Sequence, residues 1–271
     1  MDASTETEES ILYAVADGVA TITLNRPARM NALTGSMRRA MIDAMERAPE
    51  EARCIVITGA GRAFCSGQDL MDAGGNAQKA ARGAADVDLE RTLREEYEPL
   101  LGLIYDCPVP TIAAVNGPAA GAGCNIALAA DLVIAGQSGS FLQAFARIGL
   151  IPDAGGTYWL PRLVGSARAM GMCLTAEPID APRAADWGLI WEVVPDDALM
   201  AHVNALAARL ATGPTLAYRL MKEALRKSPS NDLPTQLALE AQLQGDAGRS
   251  RDFAEGVLAF LEKRPARYEG R

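Results

Sequence analysis

Two short apolar runs that each empty straight into a glycine-containing turn constrain this chain more than any other feature. Cys54 to Thr58 reads Cys-Ile-Val-Ile-Thr and ends at Gly59-Ala60-Gly61; Thr111 to Val115 reads Thr-Ile-Ala-Ala-Val and leads into Asn116-Gly117-Pro118-Ala119-Ala120-Gly121-Ala122-Gly123. Short continuous runs rich in β-branched residues suit buried strands, and glycines at their ends permit tight turns. A helix from the second turn to about Ala130, and a third strand over Asp131 to Ala135, complete a repeating unit of strand, turn and helix. Its staggered order predicts an α/β fold coiled from ββα units in preference to a doubly wound sheet.

Around this frame, Tyr13 to Leu24 reads as two strands about Asp17-Gly18, a strong hairpin signal between β-prone residues. Ser36 to Ala48 sets Met37, Ala40, Met41, Ala44 and Met45 on one stripe, the spacing of an amphipathic helix. Met71 to Asp88 is rich in Ala, Gly and Asp and is expected to be a mobile loop or loosely held helix, a candidate lid. Glu90 to Leu103 is helical until Pro108 and Pro110 stop it. Beyond Gly213-Pro214, helices are expected over Thr215 to Lys227, Pro234 to Ala247 and Ser250 to Lys263. The expected division is an acidic, disordered tail over 1–10, a core over 11–205 and a helical region over 206–271.

A length of 271 residues suits one large domain with a helical appendage. The net charge of −8 repels phosphate backbones and argues against a nucleic-acid partner. Five cysteines stand singly, with no Cys-x-x-Cys or Cys/His pairing of the kind that holds zinc, so no metal is expected and a reducing cytoplasm is. The start, MDASTETEES, lacks a basic stretch and an apolar core, so it reads as neither a secretion signal nor a presequence. No window approaches the roughly 20 apolar residues of a membrane span.

The turns Ala63-Phe64-Cys65-Ser66-Gly67-Gln68-Asp69 and Gly117 to Gly123 each follow a strand and precede a helix, so each can present free backbone N–H groups at the positive end of a helix dipole. The N–H groups of Gln68 and Ala122, with small neighbours, are the natural pair to hold an oxyanion. The plainer reading is that the glycines serve only the turns. Neither turn spells Gly-x-Gly-x-x-Gly with an acidic residue about 20 positions on, which disfavours a dinucleotide site. Asp153, in Ile151-Pro152-Asp153-Ala154-Gly155-Gly156, is either a catalytic carboxylate or the N-cap of the next helix. Phe141, Phe145, Tyr158 and Trp159 either desolvate it, raising its pKa, or belong to the core. His202, the sole histidine, lies on a helix away from both turns, which makes a Ser-His-Asp site improbable.

The stretches AFCSGQDL, TIAAVNGPAAGAGCNIALAADL and IGLIPDAGGTYWLPRLVG, with the C-terminal EGVLAFLEKRPARYEGR, resemble the enoyl-CoA hydratase/isomerase (crotonase) superfamily from about Tyr13 to Arg271. The resemblance implies a spiral of ββα units with a C-terminal helical trimerisation region, assembled as a homotrimer or a hexamer. It implies an acyl-CoA thioester as substrate, with coenzyme A part of that substrate and no prosthetic group. It assigns the paired amides to Gln68 and Ala122. Contacts with the CoA moiety fall to Ala28, Arg29, Ser66, Asp69 and Leu70, and to Phe260 and Lys263 from a neighbouring subunit. The acyl pocket is expected to include Gly121, Asn125, Phe141, Phe145 and Trp159.

Hydratases of this superfamily use two glutamates, and the matching positions here are Asn125 and Phe145, neither an acid nor a base. Asp153 matches the single carboxylate of several isomerases, so proton shuttling through a thioester enolate is the expected chemistry. The CoA dehalogenase reaction, which pairs an Asp with a histidine before the second turn, lacks its histidine. Phe64 to Leu70, Phe141 to Phe145 and Trp187 to Trp191 most resemble the 1,2-epoxyphenylacetyl-CoA isomerases of phenylacetate degradation. A hydratase or Δ3,Δ2-enoyl-CoA isomerase of fatty-acid metabolism stays open, as do a non-catalytic CoA- or RNA-binding member and a structural subunit.

Overall fold

The computed structural model describes residues 9–72 and 88–270. Most of the expected tail over 1–10, and the body of the lid candidate over 71–88, lie outside these residues. The chain opens with β1 (Ile11–Ala16) and β2 (Val19–Leu24), paired antiparallel. Asp17 and Gly18 both adopt positive φ, 51° and 75°, as a type I′ turn demands. Helix α1 (Gly35–Glu51) follows, its start capped by the Thr34 hydroxyl, which accepts from Met37 N–H at 3.1 Å.

Next come β3 (Cys54–Gly59), the short α2 (Leu89–Thr92), a π-turn over Leu93–Tyr97, α3 (Glu98–Tyr105) and β4 (Thr111–Val115). The chain then alternates between two sheets: β5 (Pro118–Ala120), α4 (Ala122–Leu128), β6 (Leu132–Gly136) and β7 (Ser140–Leu142). Helix α5 (Gly156–Thr175), β8 (Ile179–Asp180), α6 (Ala181–Asp186), β9 (Glu192–Val194) and α7 (Leu199–Ala211) complete the core. The larger sheet has the order β1-β2-β3-β4-β6-β9, parallel from β2 onward, and the smaller β5-β7-β8. The pairs β4–β5 and β6–β7 each lay one strand in the large sheet and the next in the small, which is the coil of ββα units expected from the sequence.

Both faces of the large sheet are covered, which is why its strands read as continuous apolar runs. Ile55, Ile57, Ala113, Val115, Val133 and Ala135 pack into the main core with α1 and α4. The alternate residues Cys54, Val56, Ile112, Ala114 and Ile134 meet Leu199, Val203, Ala207 and Ala211, a four-residue stripe on α7. A division at residue 205 therefore falls inside a helix that closes the sheet.

The C-terminal layer is α8 (Thr215–Lys227), α9 (Leu233–Gly248) and α10 (Arg251–Glu262). Asp131 docks it. Its carboxylate meets Lys222 Nζ at 2.6 Å and Arg226 Nη2 at 2.7 Å, and it accepts from Thr111 N–H at 2.8 Å. The following tail folds back: Arg53 donates to Tyr268 O, and buried Asp252 accepts from the N–H groups of Glu269 and Gly270. No helix among the described residues is long and apolar enough to cross a membrane.

Candidate active site

The loop after β3 is shaped by Asn31, fully buried in αL conformation at φ 55°. Its Nδ2 donates to the carbonyls of Ala60, Ala63 and Phe64, and its Oδ1 accepts from Arg26 N–H. Phe64 and Cys65 N–H then both donate to Pro118 O, and Ala120 N–H donates to Cys65 O, so the two glycine turns are stitched together. Glycine makes this possible. A Cβ on Gly67 would sit 2.8 Å from Ala120 O, and one on Gly123 would sit 2.5 Å from Cys65 Sγ.

At the seam, Gly121 N–H is taken by Leu142 O and Gly67 N–H by Cys65 Sγ. The N–H groups of Gln68 and Ala122 have no protein acceptor among the described residues. Gly121 caps α4 at φ 52°, and Ala122 is the first residue of that helix, at its positive end.

Gln68, Ala122 and Asp153 line one cavity of about 880 Å³. The peptide turn carrying Asp153 is held by its carbonyl, which accepts from Asn125 Nδ2 at 2.7 Å and from Gly156 N–H at 2.8 Å. Ala154 is forced to a positive φ of 46°, and backbone strain of this kind gathers at functional sites. The cap of α5 is Gly155, with no side-chain cap bond, so Asp153 does not serve as the N-cap. Its Oδ1 is buried without a hydrogen-bond partner among the described residues. Burial raises the carboxyl from an ordinary 3.8 to about 6.

Four other carboxyls line the cavity, and each is engaged. Asp69 pairs with Arg26 at 2.9 Å, Asp72 accepts from Gly35 N–H at 2.6 Å, Glu90 meets Arg94 at 3.0 Å, and Glu96 takes Arg38 Nε at 2.8 Å. Asp153 alone among these described side chains carries an idle, desolvated oxygen.

Of the residues expected at the site, Ser66, Asp69, Leu70, Gly121 and Phe145 line the cavity. Asn125 and Phe141 are fully buried behind its wall, Asn125 holding the Asp153 turn and Phe141 joining the core. Trp159 packs beneath Gly155 with its Nε1 enclosed and unpartnered, again behind the wall. Ala28 and Arg29 are exposed on a short 3₁₀ turn, touching the site through a 3.4 Å bond from Ser66 Oγ to Arg29 O. Phe260 and Lys263 lie at the end of α10, away from the cavity in this chain. His202 sits on α7 against Glu192 at 2.9 Å. The sequence reading missed Arg38, Glu96 and Tyr97, which line the same cavity. Arg38 gave one signal, a charged residue at the spacing of the apolar stripe that runs through Met41 and Met45.

The sequence profile described as Enoyl-CoA hydratase/isomerase matches residues 14–271. A Rhodobacter capsulatus protein named "Probable enoyl-CoA hydratase" is 60% identical over 97% of this chain and 98% of its own length. The 1,2-epoxyphenylacetyl-CoA isomerase of Escherichia coli is 44% identical over 97% of this chain and 99% of its own. Among solved structures, an enoyl-CoA hydratase from a Polaromonas species superposes with a TM-score of 0.88 at 32% identity, covering 96% of this chain and 100% of that one.

Proposed function

Because the chain belongs to the enoyl-CoA hydratase/isomerase family, we propose that it is an acyl-CoA isomerase that moves a proton through a thioester enolate, with 1,2-epoxyphenylacetyl-CoA as its substrate. One observation carries the reading: Asp153, whose buried Oδ1 has no hydrogen-bond partner among the described residues, lines the same cavity as two amides that likewise lack a protein acceptor there. The ionised carboxylate takes a proton from the carbon next to the thioester. The charge that develops on the thioester oxygen is met by the N–H groups of Gln68 and Ala122, and the proton is then returned elsewhere on the acyl group. Coenzyme A enters and leaves as part of the substrate, against Ser66, Asp69 and Leu70, with Ala28 and Arg29 at the rim.

Hydration is the competing activity, supported by the name of the 60% identical relative. It needs a second acid–base group to activate water. Asn125 and Phe145 stand where the hydratases carry glutamates, and the remaining cavity carboxyls are occupied by cations or backbone donors. A panel of arylacetyl, β,γ-enoyl and α,β-enoyl thioesters followed by mass spectrometry separates the two. Isomerised products of unchanged mass support the reading, whereas products heavier by one water overturn it.

The exposed apolar side chains of the C-terminal layer, among them Leu225, Leu233, Phe253 and Phe260, support a homotrimer or a dimer of trimers. A mass in solution equal to one chain would refute that assembly.

A further inference from the structure

The cavity lining mixes apolar side chains, among them Phe145, Ile148, Leu150 and Ile151, with a polar group made of Arg38, Gln68, Glu96 and Tyr97. A hydrocarbon acyl group would leave that polar group without use, at the cost of a guanidinium buried beside it. Arg38 is only 3% exposed and is nonetheless fully engaged, donating to Glu96 Oε2, Leu33 O and Gln68 Oε1.

The geometry around Gln68 fixes which end of its amide is free. Arg38 Nη1 and the Tyr97 hydroxyl both donate to Gln68 Oε1, each at 2.6 Å. Burial pushes the Tyr97 phenol up, so it stays protonated and keeps its role as donor. Two donors on one atom identify that atom as the carbonyl oxygen and forbid the flipped amide. The nitrogen end is left over. Among the described residues Nε2 makes a single long contact, 3.5 Å to Asp69 O, in a residue that lines the cavity. Glu96 and Tyr97 reach the cavity together because both belong to the π-turn, an insertion that recurs at functional sites.

We infer that the side chain of Gln68, oriented by Arg38 and Tyr97, is a specificity-determining donor for an acceptor oxygen of epoxide or ether type carried by the acyl group. The inference rests on the reading that an acyl thioester occupies this cavity. Its backbone N–H meets the thioester oxygen while its side-chain amide meets the second oxygen. A site that hydrogen-bonds a ligand oxygen rejects the isostere lacking it, because the amide is then left unpaired.

The test is equilibrium binding of two CoA esters of matched shape, 2-methoxyphenylacetyl-CoA and 2-ethylphenylacetyl-CoA, which differ by oxygen against methylene. The wild type binds the methoxy ester about tenfold tighter or better. Gln68→Glu keeps an acceptor for Arg38 and Tyr97 but replaces the free donor with an acceptor, and it abolishes or reverses that preference. Should this variant fail a thermal-melt check, Tyr97→Phe, which removes one of the two donors that hold the amide oxygen and so loosens the amide, narrows the preference instead. Equal binding of both esters by the wild type, or a wild-type ratio in a folded variant, overturns the inference. Discrimination without isomerase turnover would sink only the proposed reaction, and turnover without discrimination only this assignment.

Discussion

Replacing Asp153 by Asn is expected to make the protein more stable and less active at once. Raising the carboxyl from 3.8 to about 6 costs the ionised form about 3 kcal/mol for a fully enclosed group. Asp153 keeps contact with the cavity, and solvent there screens the penalty to about 1–2 kcal/mol. The sign follows from proton binding. Between those two pH values the folded protein holds a proton that the unfolded chain has lost, so stability falls as pH climbs from about 4 to about 6 and stays lowered above.

Asparagine removes the charge with little change of shape. The variant should therefore melt about 2–4 °C higher than the wild type at about pH 8 and show no gain at about pH 4. Isomerase kcat should drop about 100-fold or more while CoA-ester binding persists. In the wild type, kcat/KM should rise with pH to a plateau above about 6, since the free enzyme must present the carboxylate. The assays are differential scanning calorimetry at the two pH values and steady-state turnover. A variant that melts lower at about pH 8 would show that Asp153 is held for structure, and one that gains equally at both would refute the buried charge as the source of the gain.

Three further substitutions probe the frame. Ala122→Pro deletes one amide donor at the first position of α4, where proline is tolerated, so it should fold normally by circular dichroism and lose about 3 kcal/mol of transition-state stabilisation in kcat. Gly123→Ala drives a Cβ to within 2.5 Å of Cys65 Sγ and should cost about 1–3 kcal/mol in urea unfolding, with activity falling as the turns separate. Asp131→Ala strips Lys222 and Arg226 of their shared carboxylate and should destabilise by about 2–4 kcal/mol; an unchanged melting midpoint would show that the C-terminal layer docks by apolar contact alone.

Much of the fold was readable because local chemistry and tertiary role agree there. Asp17-Gly18 supplies the two positive φ angles of its turn, and Cys54 to Thr58 is apolar throughout because each face meets a different layer. The candidate base was not separable from an N-cap by its local sequence, since Asp suits both; the resemblance alone favoured it, and the structure gives the cap of α5 to Gly155. The polar part of the cavity lining was not readable either. Glu96 and Tyr97 face the cavity only through a π-turn, which breaks the 3.6-residue period that sequence reading relies on. Asn125, Phe141 and Trp159 show another limit, since a residue that lines a cavity and one that stands directly behind it share the same composition and spacing. What distinguishes Asn125 is its bond to the Asp153 carbonyl, a long-range contact across 28 positions.

The stitching of the loop after β3 to the turn before α4 has a consequence for how such a scaffold diversifies. With Gly67 seated on Ala120 and Gly123 on Cys65, neither loop can shift without pushing the other, so the spacing between the two amides is a property of the joint and not of either segment. The carboxylate comes from a separate turn, fastened to that joint chiefly by the Asn125 amide. A descendant could trade the proton-handling side chain, or the shape of the acyl pocket, through changes around residues 145–153 and leave its grip on the thioester as it was.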